Sequence, residues 1–203
     1  MKTLYDVGIT IAGGGALVRV GAVVVGAVRS VRARSKFTEY HVGLIELVTW
    51  IEPPLLAALS LLLLFNPVRA PSTPQAVFAV VGGLVVAYGV NVLLWAVKSW
   101  RQLFVGHGVL AGQRLISQGA YGFVRHPTYL ACLLVWTGLS IAFLNPFVGG
   151  VTVLYVLPVY LAYLRAEEQM MEAHYGEAYD RYRAAVPMLV PRIRGPRRRP
   201  AAL

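Results

Sequence analysis

The chain has 203 residues, 57% of them hydrophobic and 14% charged, with mean hydropathy +0.61 and a formal net charge of +10. Such a composition excludes an ordinary soluble domain and points to an integral membrane protein. The positive excess fits loops that face anionic lipid better than it fits nucleic acid, because the Arg-rich stretch 194–199 lacks interleaved aromatics and any recognisable nucleic-acid module.

Residues 4–28 are long and apolar enough to span a bilayer, and they lack the charged start and small-residue cleavage site of a secretory signal, so a retained helix is expected. Arg19 interrupts the run and either snorkels to the interface or faces the bundle interior. Ala12, Ala16, Ala22 and Gly26 give the small-residue spacing of close helix packing. Arg29, Arg32, Arg34 and Lys36 follow and argue for the cytoplasmic side. In the next hydrophobic region, 42–65, the spacing predicts an interfacial or partly immersed helix to about Glu52, a break at Pro53-Pro54, then a deeper segment. Glu46 and Glu52 either line a cavity or sit in interfacial water.

Residues 66–75 form a short Pro-rich outer loop, and 76–97 a third span with Asn91 as its strongly polar member. Residues 98–119 return to polar sequence with Lys98, Arg101, His107, Gln113 and Arg114. Spans at 129–144 and 147–164 are joined by Asn145-Pro146, a link so short that the two helices form an antiparallel hairpin. Pro158 is expected to kink the second. Residues 165–185 are amphipathic and charged, a surface helix, and a basic tail follows. The whole reads as an all-α integral membrane bundle of about five transmembrane helices. Its organisation is N-terminal membrane helices in 1–75, a core in 76–191 and a tail in 192–203. The positive loops alternate to one side, which places the C-terminus in the cytoplasm.

The most specific stretch is 119–129, Gly-Ala-Tyr-Gly-Phe-Val-Arg-His-Pro-Thr-Tyr. Pro suits the first turn of a helix and disfavours helix in the residue before it, so a helix starts at about Pro127 with Arg125 and His126 at its mouth. Free N–H groups, the helix dipole and the Arg125 fork make that mouth a docking place for an anion. The tight hairpin returns both of its helices to one membrane face, so Arg125–Tyr129 meets Arg165–Glu168 there. Glu167 is then expected to close on a ligand amine or on Arg125. Tyr175, Tyr179 and Tyr182 form one helical stripe that core packing or an interfacial belt explains. Gly106-His107-Gly108-Val109-Leu110-Ala111 matches a nucleotide-fold string, but a membrane helix rather than a strand precedes it, and it reads as a flexible loop. His41, His107, His126 and His174 include no pair at metal-site spacing, and the single cysteine, Cys132, reads as a small buried hydrophobe; no metal centre or internal disulfide is expected.

Arg125-His126-Pro127-x-Tyr129, Asn145-Pro146, Glu167-Glu168 and Tyr175-Gly176-x-x-Tyr179-x-x-Tyr182 together resemble the isoprenylcysteine carboxyl methyltransferase family, over roughly the last half of the chain. Phospholipid N-methyltransferases share part of the pattern. The resemblance implies a membrane methyltransferase that uses S-adenosyl-L-methionine in a cytoplasmic pocket. By position, the implied cofactor contacts are Leu115, Ile116, Tyr121, His126, Pro127, Tyr129 and Glu167, with Gln113 and Arg114 in the same stretch as weaker matches. Arg125 or Arg165 would hold a substrate carboxylate, an acceptor that needs placement and no general base. Tyr163 departs from the family, which carries Arg there, so prenylcysteine does not follow as the substrate. The expected partner is a lipophilic or lipidated acceptor, with membrane lipid around it and no nucleic acid. An amine N-methyltransferase, a sterol-reductase-like enzyme using NADPH, and a non-enzymatic membrane scaffold are the alternatives.

Overall fold

The computed structural model describes residues 1–33, 37–40, 48–100, 108–110 and 112–192. Its elements are α1 (Lys2–Ala33), β1 (Phe37–Tyr40), α2 (Glu52–Phe65), α3 (Thr73–Ser99), β2 (Gly108–Leu110), α4 (Ala120–Phe123), α5 (Pro127–Ala142), α6 (Pro146–Val151), a π-helical turn (Thr152–Val156), α7 (Leu157–Tyr175) and α8 (Glu177–Ala185). Arg34, Lys36, His41, Glu46, His107 and all of the basic tail except Arg192 lie outside the described residues.

A helix that is apolar on every side cannot face water and must sit in a protein core or in lipid. Three stretches among the described residues are long and apolar enough to cross a membrane: Lys2–Arg29, Thr73–Ser99 and Pro146–Tyr175. Glu52–Phe65 and Pro127–Ala142 are shorter apolar helices. The latter has 16 residues, which at ~1.5 Å per residue reach about 24 Å, less than a hydrocarbon core of ~30 Å. So the expected helical membrane bundle is present, with three full-length members and two shorter ones. Large apolar side chains such as Leu62, Phe65, Leu84 and Leu154 point outward, a surface that lipid covers at no cost and water would not.

Helix α3 is the centre of the bundle, packed on α1 and on α5. Close approach is possible because the crossing points are glycines. A Cβ on Gly82 would lie 2.3 Å from the Ala142 backbone nitrogen, and one on Gly138 would lie 2.7 Å from the Gly82 carbonyl oxygen. The buried core then fills with Ala12, Ala16, Leu56, Val86, Val135, Trp136 and Leu139.

The hairpin forms as the short link requires. The Asn145 side chain accepts from the N–H groups of Phe147 (3.0 Å) and Val148 (3.1 Å), capping α6 where Pro146 has no N–H to offer. Just before Pro158, where a kink is expected, the hydrogen-bond ladder widens into the π turn, and Leu157 N–H bonds to the Thr152 carbonyl.

One expectation is corrected, and one element is added. Ahead of the second hydrophobic region lies β1, which pairs antiparallel with β2, Glu39 opposite Val109. The Gly-rich string read as a flexible loop accordingly contains a strand over Gly108–Leu110. Each ribbon strand finds its partner some seventy residues away, which local sequence does not announce.

Candidate active site

Helix α5 starts at Pro127, with His126 as its N-cap residue in non-helical geometry. Two backbone bonds fix the approach to it: Arg125 N–H donates to the Pro187 carbonyl (2.8 Å) and His126 N–H to that of Met188 (3.2 Å). The segment after α8 therefore straps the mouth of the hairpin. Arg125 does not reach Glu167 as anticipated. Its Nε and Nη2 donate to Glu168 Oε1 at 2.8 and 2.7 Å, and its Nη1 donates to the carbonyls of Arg183 and Val186. His126 Nε2 lies 3.0 Å from the same carboxylate oxygen. A carboxylate only accepts, so this bond needs the ring proton on Nε2. Four of the five Arg125 N–H donors are thus engaged by the protein itself, which makes the residue a structural clamp.

Glu167, one residue along, turns the other way. Its Oε2 is buried with no hydrogen-bond partner among the described residues, 3.8 Å from His126 Nδ1. The Tyr121 hydroxyl is likewise buried and unpartnered. Burial first and the Glu167 charge second push the Tyr121 phenol well above its ordinary range, so it stays protonated and can donate. Two orphaned polar groups opening on one cavity call for a partner there, either water or a polar ligand.

That cavity is about 240 Å³ and is lined by Gln113, Leu115, Ile116, Tyr121, Arg125, His126, Tyr129 and Glu167, eight of the residues that the sequence singled out. Pro127 is buried but does not line it; its role is to begin the helix. Arg114 and Arg165 are exposed and lie off the cavity, so neither is placed to hold a ligand there. The tyrosine stripe does more than pack. The Tyr175 hydroxyl donates to the Gln113 carbonyl (3.1 Å) and that of Tyr182 to the Tyr121 carbonyl (2.7 Å), so the C-terminal helices hold the loop that carries the cavity's outer wall. Tyr179 and Tyr182 also line the cavity themselves.

For the inner end, sequence reasoning left two locations open for both Arg19 and Glu52, and the structure selects the inward one. Arg19 faces the bundle interior, 3% exposed, and Glu52 at 2% is a cavity residue. Their side chains pair, and Glu52 also accepts from Trp136 Nε1. Cys132 is not merely a hydrophobe: its Sγ accepts from Arg19 Nε (3.1 Å) and Nη2 (2.8 Å). Tyr129 stands between the two ends, edge-on to Tyr160 and stacked on Tyr163, the position that departs from the family pattern. The one sequence signal for this cluster was the presence of Arg19 and Glu52 in apolar surroundings.

An apolar helical bundle with a polar-ended pocket at the mouth of its hairpin is the frame that the comparisons can be set against. The family described as phospholipid methyltransferase matches residues 77–178, half of the chain and all of the hairpin. The chain belongs to that family and is a membrane methyltransferase. It is also similar to the methanethiol S-methyltransferase of Crocosphaera subtropica (strain ATCC 51142 / BH68), with 27% identity over 184 residues, covering 81% of this chain and 69% of that protein.

Proposed function

We propose that the protein transfers a methyl group from S-adenosyl-L-methionine to a lipophilic acceptor that enters from the bilayer. The observation that carries this reading is the pair of orphaned groups, Glu167 Oε2 and Tyr121 Oη, on a cavity otherwise walled by apolar and aromatic side chains. When bound, S-adenosylmethionine supplies an electrophilic methyl group on a sulfonium sulfur. Glu167 suits its amine as a charged acceptor, Tyr121 offers its carboxylate a neutral donor, and Leu115, Ile116 and Tyr129 offer surfaces to its adenine. Gln113 lines the same wall. His126 is held by Glu168, so it presents Nδ1 toward Glu167 and the ligand. Burial of the cavity removes water from the reacting centre.

The acceptor nucleophile has two readings. A carboxylate is ionised at neutral pH and needs only placement. A thiol is the second, favoured because Arg125 is engaged by Glu168 and two backbone carbonyls, because Arg165 lies off the cavity, and because the similar Crocosphaera protein is named for methanethiol. The Arg-rich loops support a cytoplasmic opening for the cofactor end. The reading is tested by incubating purified protein with labelled S-adenosylmethionine and a lipid extract, then identifying the labelled product by mass spectrometry. A labelled ester, thioether or amine names the acceptor; tight NADPH binding without any labelled product would move the assignment to a reductase.

A further inference from the structure

We infer that the inner end of the cavity is the acceptor subsite and that it takes an uncharged thiol, an inference that rests on the methyl-transfer reading above. Four helices each send one polar side chain there: Arg19 from α1, Glu52 from α2, Cys132 from α5 and Tyr160 from α7. The Arg19 guanidinium touches all three partners, donating to Cys132 Sγ, to Tyr160 Oη (2.8 Å) and to Glu52. Polar and charged groups placed in an apolar bundle are expensive, and well-packed hydrophobic residues would stabilise it as well or better. Their convergence on a cavity wall is therefore a binding feature. Tyr160 precedes Glu167 by two helical turns on the same helix, which places the cluster about 10 Å further in than the orphaned carboxylate. An acceptor seated there lies beside a cofactor seated at the mouth.

The charges choose the chemical class. Each cation lining the described cavity already faces a carboxylate, Arg19 with Glu52 and Arg125 with Glu168. Glu167 remains as a surplus anion at the outer end, matched to the positive charge of the cofactor. A carboxylate acceptor would arrive as a second anion at the apolar end with no spare cation to meet it, whereas a thiol arrives uncharged. The thiol proton passes to His126 Nδ1 as the sulfur takes the methyl group from the sulfonium, leaving a thioether and S-adenosylhomocysteine. The Arg19 donors at the inner end already serve Cys132 Sγ, Tyr160 Oη and Glu52, and Val23, Ala27 and Pro53 give an apolar approach.

Cys132 is the chain's only cysteine, so its alkylation is a one-site reporter of this subsite. The full chain in nanodiscs is treated with N-ethylmaleimide, and the Cys132 adduct is timed by mass spectrometry. The timing is done alone, with an alkyl methyl sulfide (the thioether that such a reaction would leave), and with an alkanoate of equal chain length. S-adenosylhomocysteine binding is measured by calorimetry in the same sample. Alkylation is expected to slow about tenfold with sulfide at roughly nine times its Kd, and to be unchanged by the alkanoate. In Arg19→Gln the sulfide protection should vanish while S-adenosylhomocysteine affinity stays within about twofold; the wild-type labelling decides the matter if that variant does not fold. No labelling of the free protein, no protection by the sulfide, or equal protection by the alkanoate overturns the thiol subsite. If these occur while S-adenosylhomocysteine still binds, only the subsite is wrong. If S-adenosylhomocysteine does not bind, the methyl-transfer reading falls and the inference with it.

Discussion

Glu167 and Glu168 are adjacent on α7 and, about 100° apart around the helix, meet opposite surroundings. Glu168 gives one oxygen to Arg125 and His126 and locks the mouth of the hairpin. Glu167 keeps one buried oxygen with no hydrogen-bond partner among the described residues. Glu168→Gln should leave Arg125 buried without its counter-charge and lower thermal stability by on the order of 3 kcal/mol. Glu172→Gln, in the solvent-exposed pair with Arg183, should leave it nearly unchanged. Thermal unfolding in detergent compares the two, and equal effects would show that the clamp is not what holds the mouth. Arg165→Ala should leave both cofactor affinity and acceptor KM near wild type, because the side chain lies off the cavity; a raised KM would return Arg165 to the site. The Glu-Glu pair was legible in the sequence because a short hairpin must bring it back to Arg125. Which glutamate meets the arginine was not, since helical rotation decides it. Arg19 and Glu52 were each left between two locations for the same reason: the side facing inward is set by helices far away in sequence.

At the scale of elements, the α3–α5 crossing rests on backbone touching backbone at Gly82 and Gly138. Gly138→Ala should therefore force the helices apart and cost about 1–3 kcal/mol, as overpacking does. Gly150→Ala, whose added Cβ meets nothing within 4 Å, should be tolerated or slightly stabilising through helix propensity. Denaturation midpoints measure both, and a harmless Gly138→Ala would mean that the crossing is looser than drawn. Helices were legible from length and apolarity, and the hairpin from Asn145-Pro146. The small-residue spacing of α1 also pointed correctly to packing, since Ala12 and Ala16 are fully buried. Strands β1 and β2 were not legible, because their pairing is non-local. The roles of Tyr175 and Tyr182 were equally hidden, because a helical stripe does not reveal which loop its hydroxyls reach.

For the whole molecule, the alternation of Arg-rich loops predicts that a reporter at the C-terminus is cytoplasmic and one inserted in 66–75 is external; the same side for both would undo the topology. The cavity joins residues from both ends of the chain, Arg19 and Glu52 with the hairpin mouth, so it is complete only when the entire bundle assembles. The central claim is that its outer end is an S-adenosylmethionine site completed by Glu167. Calorimetric titration of S-adenosylhomocysteine into wild type and Glu167→Gln tests it most directly. Loss of one charge-assisted hydrogen bond, ~1.5–3 kcal/mol, should weaken binding roughly 10- to 150-fold in the variant, with no comparable heat from NADPH. Equal affinity in the two proteins, or binding of NADPH in place of S-adenosylhomocysteine, would contradict it.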